Sequence, residues 1–242
     1  MKRFRSDLHI HTCLSPCADW EMSPIGIIEK CKEKKIDLIA ICDHNTTQNS
    51  KAVISRGLLS GITVLPGFEI CSMEEVHILA IFDSLDNANQ MQEYIYENLK
   101  GKNSPKIFGY QVISNMDDEV EGESDRFLLG AVSKSLHSIS KKVKSLNGIS
   151  IPAHIDRKAF GLISQLGFIP DNILIDGVEM ISDQIDLKHS SNILNYKIIK
   201  SSDAHYKKDI GKNITIFKMK EPNISEIKKA LKGIDGRGIE IA

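Results

Sequence analysis

Apolar residues along the chain gather in short runs rich in β-branched side chains, separated by stretches whose apolar positions recur at helical spacing. The runs at 5–10, 38–42, 62–65, 76–82, 148–152, 177–180 and 197–200 read as strands. Helical periodicity marks 48–60, 88–99, 133–146 and 183–194, and two further helices carry start signals. Ser23 stands before Pro24, and Ile25, Ile28 and Cys31 follow at helical spacing. A serine oxygen can accept from the free N–H groups of a first turn, and a proline there loses no hydrogen bond. Asn223 sits three residues before Glu226 and leads into Ile224, Ile227 and Leu231, a second cap-like start. Strands alternating with helices predict βαβ units and a mainly parallel sheet; seven strands suit a barrel clad by the helices.

One segment breaks the alternation. Over 101–125, Gly, Asn, Ser and Pro give way to Asp117, Asp118, Glu119, Glu121, Glu123 and Asp125. It reads as an excursion inserted at about 101–127, with a short hairpin around 110–113. Neighbouring carboxylates repel and seek water, so its acidity predicts a solvated loop.

The 242 residues are 41% hydrophobic and 26% charged, enough for a full core and inconsistent with global disorder. A single domain over 1–242 is the simplest division. The net charge of -1 supplies no broad field for a polyanion or an anionic membrane, which favours a small substrate over nucleic acid. Lys2, Arg3 and Arg5 are followed by no apolar stretch of the kind a signal peptide needs, and no segment is long enough to cross a bilayer. Five cysteines without a disulfide-framework spacing fit a reducing compartment, so a cytoplasmic location is expected.

The histidines change the picture. Asp7, His9 and His11 alternate at the end of the first strand, so all three point to one face and two imidazoles converge. Asp7 is the candidate to hold a histidine's second nitrogen and fix its tautomer. Similar positions recur after later strands: Asp43-His44, Glu69, His77, His154, and Asp203 with His205 two residues on. Barrel active sites are assembled in this way, from residues at the carboxyl ends of several strands. Six of the eight histidines fall at such positions, whereas His137 and His189 lie in polar stretches and read as solvent-facing. Asp43 is expected to support the turn beside His44.

The ordered set DLHIHT, CDHNT, PGFEI, EVHIL, PAHIDR and SSDAH resembles the PHP family, named for polymerase and histidinol phosphatase, and runs from Asp7 to His205. The resemblance implies a distorted (β/α)7 TIM-like barrel and a metal-dependent phosphoesterase with two or three divalent ions. By it, His9, His11, Glu69 and Asp203 would bind one ion, and Glu69 would bridge to a second held by His77 and His154. A third would rest on Asp19, His44 and His205. Asp19 lies eight residues after His11, where relatives place their ligand five or six residues on, at Pro16 and Cys17. Either a longer loop lets Asp19 reach, or Cys17 takes its place, or the third ion is weakly held. Cys13 and Cys17 form a C-x3-C pair on that loop, with packing the commoner use for each; Cys31, Cys42 and Cys71 read as small core residues.

Imidazole mixed with carboxylate suits zinc, iron or manganese better than magnesium or calcium. Glu69, Asp203, His205 and Arg157 are the residues expected to act in catalysis, with a hydroxide bridging the ions as nucleophile. Arg157 resembles an arginine presented to substrate phosphate; an exposed arginine at a helix start is the open alternative. Glu179 ends a strand and reads as a residue behind the ligands, as one acting on the leaving group, or equally as a polar rim residue. No G-x-S-x-G elbow offers a covalent route. The leading expectation is hydrolysis of a small-molecule or nucleotide phosphomonoester. The alternatives are an exonuclease-type phosphodiesterase acting on DNA or RNA and a non-catalytic metal-binding accessory module.

Overall fold

Runs of buried aliphatic residues become strands, and each helix turns one apolar stripe toward them. A computed structural model of the chain describes residues 1–181, 193 and 195–241. The first half runs β1 (Lys2–Ile10), α1 (Pro24–Glu33), β2 (Leu38–Ile41), α2 (Ser50–Leu58), β3 (Thr63–Cys71), β4 (His77–Ile81) and α3 (Leu85–Asn98). The excursion follows as α4 (Pro105–Phe108) and a hairpin of β5 (Val112–Ser114) and β6 (Val120–Glu123). Next come α5 (Leu136–Ser145), β7 (Ile149–Pro152), α6 (Leu162–Leu166), β8 (Val178–Glu179), β9 (Ile198–Ile199), β10 (Thr215–Met219), α7 (Ile224–Lys232) and β11 (Gly238–Ile241). The helix expected at 183–194, with His189, falls outside the described residues, apart from Ile193.

All seven expected strands form, and the main sheet is a curled seven-stranded half-barrel in the order β11-β10-β1-β2-β3-β4-β7. Its pairing is mixed rather than mainly parallel. β1, β2 and β3 run parallel, whereas β3–β4, β4–β7, β1–β10 and β10–β11 are antiparallel. The physical reason at β3–β4 is connection length. The chain reverses at 72–76, where Ser72 N–H donates to Val76 O at 2.9 Å, too short a link for the crossover that parallel strands require. β10 and β11 were not foreseen; they extend the sheet beyond β1. β8 and β9 pair parallel to each other as a separate ladder. Single hydrogen bonds join β8 to the β7 side, Ile155 N–H to Glu179 O at 3.0 Å and Asp176 N–H to Ser150 O at 2.9 Å. An Ile10–Ala204 bridge joins the segment after β9 to β1.

The caps follow the expected chemistry. Ser23 Oγ accepts from Gly26 N–H at 3.1 Å, and Asn223 Oδ1 accepts from Glu226 N–H at 2.9 Å. Gly67 within β3 permits close approach, since a Cβ there would stand 3.0 Å from Cys42 Sγ and 3.1 Å from Ala80 O. On one side of the sheet α1 and α2 bury Ile27, Ile28 and Val53 against Ile39 and Ile41; elsewhere α3 and α5 bury Met91, Ile139 and Val143 against Phe68 and Ile78. Cys31 and Cys42 lie in these aliphatic clusters and Cys71 is buried, as expected of small core residues.

The excursion is tied down rather than merely solvated. Asp118 accepts from Ser23 Oγ at 2.6 Å and Ile25 N–H at 2.9 Å, so a residue of the acidic run completes the N-terminus of α1. Asn49 holds the hairpin from beneath, donating to Val112 O at 3.0 Å and accepting from Ser114 N–H at 3.1 Å.

A buried ion pair closes the C-terminal part. Arg237 donates twice to Glu226, Nε to Oε2 at 3.0 Å and Nη2 to Oε1 at 2.9 Å, and Lys220 N–H adds a bond at 2.8 Å. The Arg237 guanidinium, with that N–H, holds the Glu226 carboxyl down at about 2. An unfolded glutamate titrates near ~4.3. The stabilisation is therefore complete above that value and disappears as pH falls toward 2. Glu226→Gln is expected to lower the urea midpoint at pH 7 and to flatten the loss of stability between about pH 5 and 2. An unchanged acid limb in urea titrations would remove this pair from the account.

Candidate metal centre

The site is built where β1, β2, β3, β4 and β7 end or bend. β1 carries His9 and leads to His11, and its register against β2 slips between Asp7 and Ile10, a bulge that re-aims side chains. His44 follows β2 and bridges to Glu69 in β3, while His77 opens β4 opposite Cys71. His154 follows β7, and Asp203 and His205 follow β9. Two of these residues adopt left-handed backbone, His154 at φ 30° and Asp203 at φ 50°. For non-glycine residues that conformation costs about 1–3 kcal/mol and persists only where neighbours impose it. Glu179 Oε2 receives the His154 N–H at 3.1 Å, and Ala204 N–H donates to His9 O at 3.3 Å.

Glu69 is the meeting point. Its carboxylate lies 3.5 Å from His9, 3.3 Å from His11, 3.0 Å from His44, 2.7 Å from His77 and 2.8 Å from His154. Three groups place their ligating atoms within 4.8 Å of one another: His9, His11, Glu69 and Asp203; His44, Glu69 and His77; and His11, His44 and His205. The first is the set that the resemblance assigned to one ion. His44 differs, facing Glu69 and His77 as well as His205. His154 reaches Glu69. Asp19 joins none of these groups among the described residues; its Oδ1 instead accepts from Glu21 N–H at 2.9 Å, closing a turn of its own loop.

Tautomers show what the cluster is prepared to hold. Ser15 Oγ donates to Asp43 at 2.7 Å, so toward His11 Nδ1, 2.9 Å away, it must accept. His9 Nδ1 likewise donates to Glu179 Oε2 at 2.9 Å. Both Nε2 lone pairs are thereby turned inward, 3.2 Å apart, with Asp203 Oδ1 3.3 Å from each. Two facing lone pairs beside carboxylates repel unless a proton or a metal cation lies between them. Ligand bonds of about 2.0–2.1 Å give a tetrahedral shell edges of roughly 3.3–3.4 Å, matching this spacing. Asp203 Oδ1 and His154 Nδ1 are moreover buried without a hydrogen-bond partner. The donor set fits divalent ions.

The supporting residues partly correct the sequence reading. Asp7 serves the chain rather than a ring, accepting from Ser202 N–H at 2.9 Å and Gly211 N–H at 3.0 Å. Burial nevertheless pushes its carboxyl up to about 6. Glu179, fully buried, does the orienting instead, in the first of the roles its strand-end position offered: it crosses from β8 to reach His9, 170 positions away in sequence. Asp43 holds the loop after His11 rather than the turn beside His44, accepting from Thr12 N–H and Thr12 Oγ1, both at 2.7 Å, and from Ser15 Oγ. Arg157 stands at the mouth, donating to Asp203 Oδ2 at 2.5 Å with its side chain 41% exposed; no helix starts there, since α6 begins at Leu162. Cys13 packs beneath the hairpin, and burial, with Asp43, pushes its thiol up to about 11. Cys17 is exposed. His137 is only half-buried and donates to Asn172 O at 2.6 Å.

Charge follows from this crowding. Burial opposes protonation of His11, but Asp203 and Glu69 outweigh it and hold the imidazole up at about 9. Burial is likewise outweighed at His44, where Glu69 and the Cys17 thiol raise it to about 9. Burial and the neighbouring His11 push His205 down to about 3, leaving a neutral imidazole with a free lone pair.

No family model matches the sequence. The chain is 24% identical to YqxK, an uncharacterised protein of Bacillus subtilis, over 99% of its own length and 64% of that protein's. The lesion-specific endonuclease PfuEndoQ of Pyrococcus furiosus superposes with a TM-score of 0.73 at 22% identity, over 98% of this chain and 58% of that one. A protein of Bifidobacterium adolescentis assigned as a metal-dependent phosphoesterase superposes with a TM-score of 0.57 at 19% identity, over 84% and 88%. The fold is PHP-like. The chain spans less than two thirds of the lengths of YqxK and PfuEndoQ. On this PHP-like scaffold the histidine and carboxylate cluster occupies the strand ends at which the motifs were recognised.

Zinc or manganese is expected to raise the thermal midpoint and release protons in weak buffer, because the cation replaces protons that the carboxylates draw onto His9, His11 and His44. At a hundredfold excess over Kd the gain is about 2.7 kcal/mol. Glu69→Gln should abolish most of both signals, and Asp19→Asn should leave bound metal, measured by elemental analysis, unchanged. A loss of metal in Asp19→Asn equal to that in His44→Ala would show that the loop rearranges to bind.

Proposed function

We propose that this chain is a metal-dependent phosphoesterase, with the Glu69 carboxylate among five imidazoles as the observation that carries the reading. His9, His11, Glu69 and Asp203 would hold one ion, and Glu69 with His77 and His154 a second. His44 and His205, with Cys17 beside His44 in place of Asp19, would hold a third. Divalent zinc, iron or manganese in such a set lowers the pKa of water and neutralises phosphoryl oxygens. We read 1–242 as one domain, and the half-barrel with β8 and β9 against its open side as a distorted (β/α)7 barrel.

The chain's own groups supply the rest. Arg157 presents a planar, permanently charged fork at the mouth and can exchange Asp203 for two phosphate oxygens. Glu179 and the Asp43–Ser15 pair keep the Nε2 atoms of His9 and His11 directed inward, so the ligands need no rearrangement when substrate arrives. Phe160, stacked on His77 at 4.4 Å and 12°, shields that imidazole from water on one side. A phosphomonoester of a small molecule or nucleotide suits the balanced net charge of -1. The likeness to an endonuclease supports a second reading, phosphodiester cleavage in nucleic acid.

Manganese-, iron- or zinc-loaded protein is expected to hydrolyse a chromogenic phosphomonoester, with activity lost in His9→Ala. Arg157→Ala should raise KM about tenfold or more by removing the bidentate contact. Release of mononucleotides or nicks from oligonucleotides, with no monoester turnover, would favour the diesterase reading; no turnover of any phosphoester by fully loaded protein would end both.

A further inference from the structure

The loop after His11 and the excursion carry exposed aromatic rings that the proposed chemistry leaves unused. Trp20, the single tryptophan of the chain, is 62% exposed, and Tyr110 is 54% exposed. Their ring centroids lie 6.1 Å apart with planes tilted by 44°, so neither ring covers the other's face. A pair serving only to staple two segments would bury those faces, because apolar area left in water forgoes about 25 cal/mol per Å².

The two rings come from different segments that the fold holds together. Trp20 belongs to the loop after His11, and Tyr110 to the excursion just after α4. Gly109 lies so close to Pro16 that a Cβ would stand 2.7 Å from its carbonyl oxygen, and Val112 N–H donates to Cys13 O at 3.3 Å. Asn103 Nδ2 fixes Gly109 O at 2.9 Å. The loop is equally tied to the ligands. Asp19, next to Trp20, donates its N–H to His205 O at 2.8 Å. Tyr206, next to His205 in sequence, is 49% exposed, with the Lys208 ammonium 5.4 Å from its ring.

We propose that Trp20 and Tyr110 form a stacking platform for the nucleobase of the substrate, beside the metal centre. The inference rests on the phosphoesterase reading and narrows it to a phosphoester that carries a base. Purines and pyrimidines present flat π faces that stack on exposed aromatic rings whatever their sequence, and a sugar links such a base to its phosphate. A platform one residue from the ligand loop suits that geometry, and a sugar phosphate would leave it empty. Three carboxylates of the acidic run are engaged by other groups. Asp118 is engaged at the start of α1, Asp117 lies 3.8 Å from Arg56, and Glu119 accepts from Asn115 Nδ2 at 2.8 Å. The base can belong to a free nucleotide or to nucleic acid, and the test separates the two.

Trp20 is its own reporter. In zinc-loaded full-length protein, its fluorescence is followed while adenosine monophosphate, a single-stranded oligonucleotide or ribose 5-phosphate is added. The two base-bearing ligands should quench it and ribose 5-phosphate should not. Oligonucleotide binding at least tenfold tighter than the mononucleotide identifies nucleic acid as the source; comparable affinities identify the nucleotide. Tyr110→Ala should weaken binding of base-bearing ligands by roughly tenfold and Tyr110→Phe should restore it. Trp20→Ala, read by anisotropy of a labelled oligonucleotide, should show a similar loss. Both side chains are exposed, so unchanged melting curves verify folding. Equal quenching by ribose 5-phosphate, no quenching at all, or unaltered affinity in Tyr110→Ala and Trp20→Ala overturns the platform. Hydrolysis without base-dependent quenching overturns the platform alone, and base-dependent quenching without hydrolysis overturns the enzymatic reading alone.

Discussion

A buried carboxylate surrounded by imidazoles governs this molecule. Glu69 is 1% exposed, and an uncompensated charge at such depth would cost several kcal/mol or be neutralised by a proton. Five histidines from four other segments answer it, and their field, working against burial, holds its carboxyl well below the usual range. Asp203 adds a second carboxylate, held low by His9 and His11 against the same burial. The cluster is thus a balanced set of carboxylates and the protons they draw onto the imidazoles, and divalent cations can take those protons' place.

That requirement explains features that stability alone does not. The left-handed backbone at His154 and Asp203 and the bulge in β1 are local costs that place ligands rather than core atoms. Asn45 shows the same logic behind the site. At φ 53° it donates to Leu128 O at 2.8 Å and Gly130 O at 2.7 Å, and accepts from Cys71 N–H at 3.3 Å. One side chain thus joins the turn after His44 to β3 and to the chain leaving the excursion. The excursion is in turn fastened at Cys13, Asn49 and Ser23, so it behaves as a wall of the ligand loop and not as a detached acidic arm.

Much of this was legible in the residues themselves. Hydrophobic period located every strand of the expected seven, and Ser23 and Asn223 announced their helices, because caps and periodicity are local properties of the backbone. The residues of the cluster were legible too, since His9, His11, Glu69, His77, His154, Asp203 and His205 each stand in a strand or in the segment that follows one. What local pattern could not supply was partnership between distant segments. It placed Asp7 on His9 and left Glu179 among several roles, since Asp7 shares a strand with His9 while Glu179 arrives through the closing of the sheet. It left Asp19 and Cys17 as alternatives, because loop conformation depends on what the loop rests against. Antiparallel pairing of β4, the addition of β10 and β11, and the meeting of Trp20 with Tyr110 were likewise decided by tertiary packing, in which segments far apart in the chain compete for the same buried surface.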